Sequence, residues 1–201
     1  LALSEGHLSL YQLTIESGTR YFDLFQAGKL KMPSEDLAAD MFELTQALTA
    51  SYGLPAYEIS NHARPGQESR HNLTYWRYGE YAGIGPGAHG RLMINNQRHA
   101  TAAEKLPFDW QKKVLSQGHG MVADDVLTWE EQGDEFLVMG LRLKEGISPA
   151  RFTAISGRQI SARQIDALKG YGFVESLPNG NLRVTDKGFP VLDAVVADLA
   201  A

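Results

Sequence analysis

His7-Leu8-Ser9-Leu10-Tyr11-Gln12-Leu13-Thr14-Ile15 is the stretch on which the fold assignment turns. It alternates, is rich in strand-favouring side chains and is broken by Glu16-Ser17-Gly18-Thr19, so it reads as a strand with a loop at its C-terminal end. From Ser34 the period changes. Leu37, Met41, Leu44 and Leu48 recur at helical spacing, with Ser34 as N-cap and Gly53 just past the end. Tyr57-Glu58-Ile59-Ser60-Asn61 then reads as a short strand running into a polar loop from Ala63 to Arg70, where Pro65-Gly66 signals a turn. Strand, helix, strand is the order of a βαβ unit. It predicts an α/β fold with a parallel sheet whose functional loops lie at the strand C-termini. The Gly-rich run from Tyr81 to Leu92 is a candidate third strand.

Around Thr101 to Phe108 the character shifts, and a domain boundary is expected near residue 104, separating 1–103 from 104–201. Helices are expected over 108–115 and 128–143, the second opened by the capping box Thr128-Trp129-Glu130-Glu131. Ser161-Ala162-Arg163-Gln164 is a second such box, opening a helix with Ile165, Leu168 and Tyr171 on one side. Two short strands follow around an Asn179-Gly180 turn, and a last helix from about Thr185 carries Leu192, Val195, Val196 and Leu199. Helix, helix, hairpin, helix is a winged-helix-like order. A DNA-binding role is disfavoured, because Arg158, Arg163 and Lys169 are offset by Asp166, and the wing carries Glu175 with only Arg183 nearby.

Composition bounds the function. The chain has 201 residues, 43% hydrophobic and 21% charged, which is globular composition. Its net charge of −5, with no polybasic run, argues against a nucleic-acid surface. No apolar stretch is long enough to span a bilayer, no charged-then-apolar leader opens the chain, and the expected compartment is the cytoplasm. There is no cysteine, so disulfides, thiolate metal sites and cysteine nucleophiles are excluded within these residues. The first residue is Leu1 rather than Met, and a strand-like run follows almost at once, so the chain is expected to be a piece of something longer.

Chemistry concentrates in Arg70-His71-Asn72-Leu73-Thr74-Tyr75-Trp76 and in Gly83-Ile84-Gly85-Pro86-Gly87-Ala88-His89. Glycines at 83, 85 and 87 of a strand clear one face, for a flat ligand or for a neighbouring backbone. In the loop around His71, an imidazole, a guanidinium and flat rings converge in a way that suits a planar anionic molecule, with the imidazole as an iron ligand and Arg70 on a carboxylate. The alternative is a histidine bonded to backbone, with Tyr75 and Trp76 filling core. Glu16 and Glu58 fall near strand ends, where they suit a ligand hydroxyl or amine or are simply solvated. No Ser-His-Asp set or zinc set is evident, and no catalytic residue is assigned.

Four strings occur together: Leu10-Tyr11-Gln12-Leu13-Thr14-Ile15-Glu16-x-Gly18-Thr19, Tyr57-Glu58-Ile59-Ser60-Asn61-x-Ala63-Arg64-Pro65-Gly66, Arg70-His71-Asn72-x-x-Tyr75-Trp76 and Gly83-Ile84-Gly85-Pro86-Gly87-Ala88-His89. In this order they resemble the radical S-adenosylmethionine proteins of the oxygen-independent coproporphyrinogen III oxidase-like family, and within it the HemW-type haem chaperones. The resemblance implies the later part of a partial (β/α) barrel followed by a mostly helical winged-helix-like domain. It implies S-adenosylmethionine and a [4Fe–4S] cluster held by three closely spaced cysteines, which this chain lacks, so the chain alone is expected to be inactive in radical chemistry.

His89, with Gly83, Gly85 and Gly87, matches positions that contact S-adenosylmethionine in the oxidase branch. Thr14 falls near a contact to a second such molecule. His71 belongs to the motif of the chaperone branch and is the implied haem-iron ligand. The implied partners are haem or a porphyrinogen, S-adenosylmethionine and respiratory haem proteins. A sheet edge left open would favour a dimer. Three readings follow: a haem chaperone, which the complete His71 motif favours; a true oxidase that decarboxylates coproporphyrinogen III to protoporphyrinogen IX; and a winged-helix interaction module without chemistry.

Overall fold

The computed structural model describes Leu1 and residues 4–201. They form two compact units, Leu1–Ser69 and Arg70–Ala201.

The first unit contains β1 (His7–Ser9), α1 (Arg20–Gln26), α2 (Glu35–Ser51) and β2 (Asn61–Ala63). Helix α2 starts as its sequence predicts: the Ser34 hydroxyl accepts from the Leu37 N–H at 3.3 Å, satisfying one of the orphan donors of the first turn. Its stripe of Leu37, Met41, Leu44 and Leu48 is about half exposed, so the described residues of this unit leave it uncovered.

The parallel βαβ reading is not what forms. β1 and β2 pair antiparallel, with His7 opposite Ala63 and Ser9 opposite Asn61. The reason lies in residues 56–62, which turn the chain back on itself instead of extending as a strand. Ala56 and His62 form an antiparallel bridge, and the Tyr57 N–H donates to the Asn61 carbonyl at 3.0 Å. The Glu58 carboxylate clasps this turn. One oxygen accepts from the Ser60 N–H (2.9 Å), the Ser60 hydroxyl (3.1 Å) and the Asn61 amide (2.6 Å). Glu58 is therefore fully buried, neither solvated nor presented to a ligand. Beside it His62, also buried, shares a 3.0 Å hydrogen bond with Thr49 of α2.

The second unit contains α3 (Arg70–Trp76), β3 (His89–Ile94), β4 (Gln97–Ala103), α4 (Pro107–Gln117), β5 (Met121–Val126), α5 (Trp129–Gly140), α6 (Pro149–Ser156), α7 (Ala162–Gly170), β6 (Val174–Ser176), β7 (Leu182–Val184), a 3-10 turn at Phe189–Val191 and α8 (Leu192–Ala200). Strands β3, β4 and β5 make an antiparallel sheet in that order. The β3–β4 turn is Asn95-Asn96, both at positive φ (50° and 61°), the primed-turn geometry whose twist matches the flanking strands. Position 104 lies between β4 and β5, which pair with each other antiparallel.

The core of this unit lies among α5, α6, α7, the β6–β7 hairpin and α8, where Leu137, Leu141, Phe152, Leu168, Val184 and Val195 are buried. The Thr128 capping box forms in both directions: its hydroxyl accepts from the Glu131 N–H, and the Glu131 carboxylate accepts from the Thr128 N–H. Those bonds hold the Glu131 carboxyl below the usual carboxylate range. The Ser161 cap and the hairpin also form where the sequence reads them, whereas the C-terminal helix starts at Leu192, after a 3-10 turn at Phe189–Val191, and not near Thr185.

Two outcomes are expected. Leu137→Ala empties a fully buried site and lowers stability by about 3 kcal/mol, read from urea denaturation. Burial is the main cause holding the His62 imidazole below its ordinary value of 6.5, against the opposing pull of Glu58. The unfolded chain therefore takes up this proton first as pH falls. Its contribution is intact above the ordinary value and is lost as the pH drops toward the depressed folded one. His62→Gln should flatten this part of the stability profile between neutral and mildly acidic pH.

Candidate functional site

The second unit presents its chemistry on α3. The sequence reads Arg70–Trp76 as a loop, but it is a helix: the Thr74 hydroxyl bonds back to the Arg70 carbonyl (2.9 Å), and the ladder continues with Arg77 N–H to Leu73 (2.9 Å). Helical spacing places His71 and Tyr75 one turn apart on the same side. Their rings meet edge to face at 4.6 Å, and the Tyr75 hydroxyl lies 2.5 Å from His71 Nε2. Asn72 Oδ1 lies 3.5 Å from Nδ1. Tyr75 in turn meets Tyr81 edge to face at 4.4 Å. Trp76 lies under the Arg142 guanidinium at 4.6 Å.

A surface groove of about 670 Å³ runs beside α3, lined by Arg70, His71, Leu73, Thr74, Arg77 and Gly79. That volume falls within the range of small-molecule sites. Its two cations differ in freedom. Arg77 is held in a two-pronged pair by Glu145 at 2.7 Å, whereas Arg70 is exposed at the start of the helix.

What fixes α3 is Tyr78, immediately past the helix. It is buried, and its backbone is left-handed at φ 53°, a strained conformation for a non-glycine residue. The neighbours hold it there. Its ring packs on Phe136 at 6.1 Å and under the Arg98 guanidinium at 3.7 Å, and its hydroxyl donates to Glu135 at 2.9 Å. The Tyr78 carbonyl accepts from Arg98 and Arg151, each at 3.3 Å. Burial, reinforced by Glu135, pushes the Tyr78 phenol well above its ordinary range, so it remains a donor. Glu135 also grips Arg91 of β3 at 2.6 Å, and this hydrogen bond raises the Arg91 value further. Sequence reasoning missed Glu135, Arg91 and Arg98, since no spacing rule links groups 44 residues apart.

The glycine run departs from its strand reading. Strand β3 begins at His89, and residues 82–88 form a loop that returns against it after a bridge between Tyr81 and Arg91. Gly85 and Gly87 take positive φ (103° and 70°) to make that return. A Cβ on Gly83 would stand 2.5 Å from the His89 carbonyl oxygen, so Gly83 serves close backbone approach. His89 therefore opens a strand rather than closing one, and it is exposed. Thr14 belongs to the other unit, where it is exposed in the segment between β1 and α1. Among the described residues no three His, Asp or Glu side chains gather as a metal-binding group. Gly83→Ala is expected to force the loop off β3 and to cost about 1–3 kcal/mol in thermal or urea unfolding.

Comparison with known proteins gives a consistent picture. Residues 127–191 match the HemN C-terminal domain family. The chain is 35% identical over 209 residues to the mitochondrial radical S-adenosyl methionine domain-containing protein 1 of Bos taurus, covering 99% of this chain and 47% of that protein. It is 34% identical over 169 residues to the heme chaperone HemW of Bacillus subtilis, covering 84% and 44%. The chain thus spans about half the length of the curated relatives it matches. In fold it resembles the solved coproporphyrinogen III oxidase HemN of Escherichia coli, a radical SAM enzyme, with a TM-score of 0.70 at 17% identity over all of this chain and 49% of that one. With its four motifs, its relatives and its mixed α/β architecture in agreement, the chain belongs to the HemW/HemN-like family of radical S-adenosylmethionine proteins.

Proposed function

We propose that the protein carrying this chain binds haem beside α3 and passes it on, as a chaperone of the HemW type. The observation that carries this reading is the position of His71: its imidazole lines the groove next to the exposed Arg70 guanidinium, on a helix braced from behind by Tyr78. The imidazole supplies a nitrogen ligand to the iron, and Arg70 pairs with a propionate. Haem here is cargo. Respiratory haem proteins are the proposed recipients.

S-adenosylmethionine and a [4Fe–4S] cluster belong to the family. The residues of this chain do not fit the cluster, since it has no cysteine and no metal-binding group among the described residues, so its ligands must come from elsewhere. The S-adenosylmethionine wall is proposed at His89 with Gly83, Gly85 and Gly87. Gly85 faces open space, while Gly83 is committed to the His89 backbone. Thr14 is the proposed contact to a second molecule. The finer fold reading, later barrel elements over 1–103 and a winged-helix-like domain over 104–201, is supported by the HemN C-terminal domain match, which falls wholly within the latter.

The test is haem titration of the intact protein and its His71→Ala variant, followed by absorbance. The variant should lose at least the roughly 10–100-fold in affinity that removal of even a supporting metal-site group costs. Arg70→Ala should weaken binding less and leave the coordination spectrum unchanged. Equal spectra and affinity for His71→Ala would remove His71 as ligand. Anaerobic conversion of coproporphyrinogen III to protoporphyrinogen IX by the intact protein would replace the chaperone reading with the oxidase one.

A further inference from the structure

The contact between Tyr75 and His71 has a consequence for how cargo is held. On a neutral imidazole one nitrogen donates and the other carries the lone pair that a metal needs. Asn72 Oδ1 lies on the Nδ1 side at 3.5 Å and the Tyr75 hydroxyl on the Nε2 side at 2.5 Å; with the proton on Nδ1, the lone pair on Nε2 faces the phenol. That is the arrangement of a metal-ligating histidine, whose second nitrogen donates to a supporting oxygen. Here, however, the lone pair is already taken. In that tautomer the Tyr75 hydroxyl, 2.5 Å from Nε2, is the donor and stands where an incoming iron has to sit.

Tyr75 is held in place to do this. It is four residues from His71 on the same helix, and its ring is backed by Tyr81 at 4.4 Å. Tyr81 is in turn fixed to β3 by a pair of backbone hydrogen bonds with Arg91, at 2.8 and 2.9 Å.

We propose that Tyr75 is a positioning residue that competes with haem iron for His71 Nε2: its hydroxyl holds the nitrogen when the site is empty, yields it when iron binds and recaptures it on release. The proposal rests on the reading of His71 as the iron ligand. In the exchange the O–H···N hydrogen bond breaks as the Fe–N bond forms, and no proton leaves the protein. The effect is to weaken capture and to assist release, as a carrier that must surrender its cargo requires.

The experiment is haemin titration of the intact protein as wild type, Tyr75→Phe, His71→Ala and the double variant, with dissociation followed by transfer to excess apomyoglobin. Phenylalanine keeps the ring contacts and deletes only the hydroxyl. Tyr75→Phe should bind haem roughly two- to tenfold more tightly, the net worth of one hydrogen bond, and release it correspondingly more slowly. Its coordination spectrum should match wild type. In the His71→Ala background the same substitution should change nothing, because the two residues act as one coupled pair. Unchanged or weakened binding in Tyr75→Phe overturns the proposal, as does the loss of a phenolate-to-iron charge-transfer band in that variant, which would make Tyr75 itself the ligand. If His71→Ala binds as wild type does, the reading of His71 fails instead, and any Tyr75→Phe effect that persists without His71 has another origin.

Discussion

The carboxylate of Glu135 is the point through which the second unit is tied together. It accepts the Tyr78 hydroxyl on one side and the Arg91 guanidinium on the other, so a single side chain of α5 joins the end of α3 to strand β3. Arg91 and Glu135 are each mostly buried, with about a fifth of each side chain exposed. In that setting a bidentate pair is attracted more strongly than at a free surface, and losing either partner would strand a charge. Around this pair the cations Arg98 and Arg151 converge on Tyr78, through its ring and its carbonyl. Burial, with the nearby charge of Arg98, depresses the Arg151 value, a sign of how tightly these groups are packed.

This arrangement explains why a seven-residue helix can present a site at all. A helix as short as α3 is marginal in isolation, because the cost of nucleation is spread over too few hydrogen bonds. Tyr78 ends it in a left-handed turn that only tertiary contacts can enforce, and the same contacts hold the helix from which His71 lines the groove. The glycine loop completes the scaffold by returning against β3 and delivering Tyr81 to the back of Tyr75. Two motifs that stand apart in sequence therefore serve one local structure.

The first unit follows the same logic on a smaller scale. Its strands have three residues each, too few to specify direction by hydrophobic pattern. Direction is set by the Glu58 clasp, which reverses the chain just ahead of β2. A carboxylate that the sequence offers as a ligand group is consumed in building a turn.

Much of the local structure was legible from the chain alone, because its signals are short-range. The Ser34, Thr128 and Ser161 caps, the helices they open and the Asn179-Gly180 hairpin depend on hydrogen bonds and turns made within a few residues. The family was legible as well, since it rests on strings of residues and not on shape. The strand direction in the first unit, the helical state of Arg70–Trp76, the loop of glycines and the β3–β4–β5 sheet were not. Most of these depend on partners distant in sequence: Glu135 for α3, the His89 backbone for Gly83, and β5 for β4 across position 104. What the sequence determined by itself was its local hydrogen bonding and its kinship. Tertiary structure decided that the His71 and Tyr75 side chains meet on a braced helix beside a groove, because that depends on groups being held at fixed distances, and only packing fixes distance.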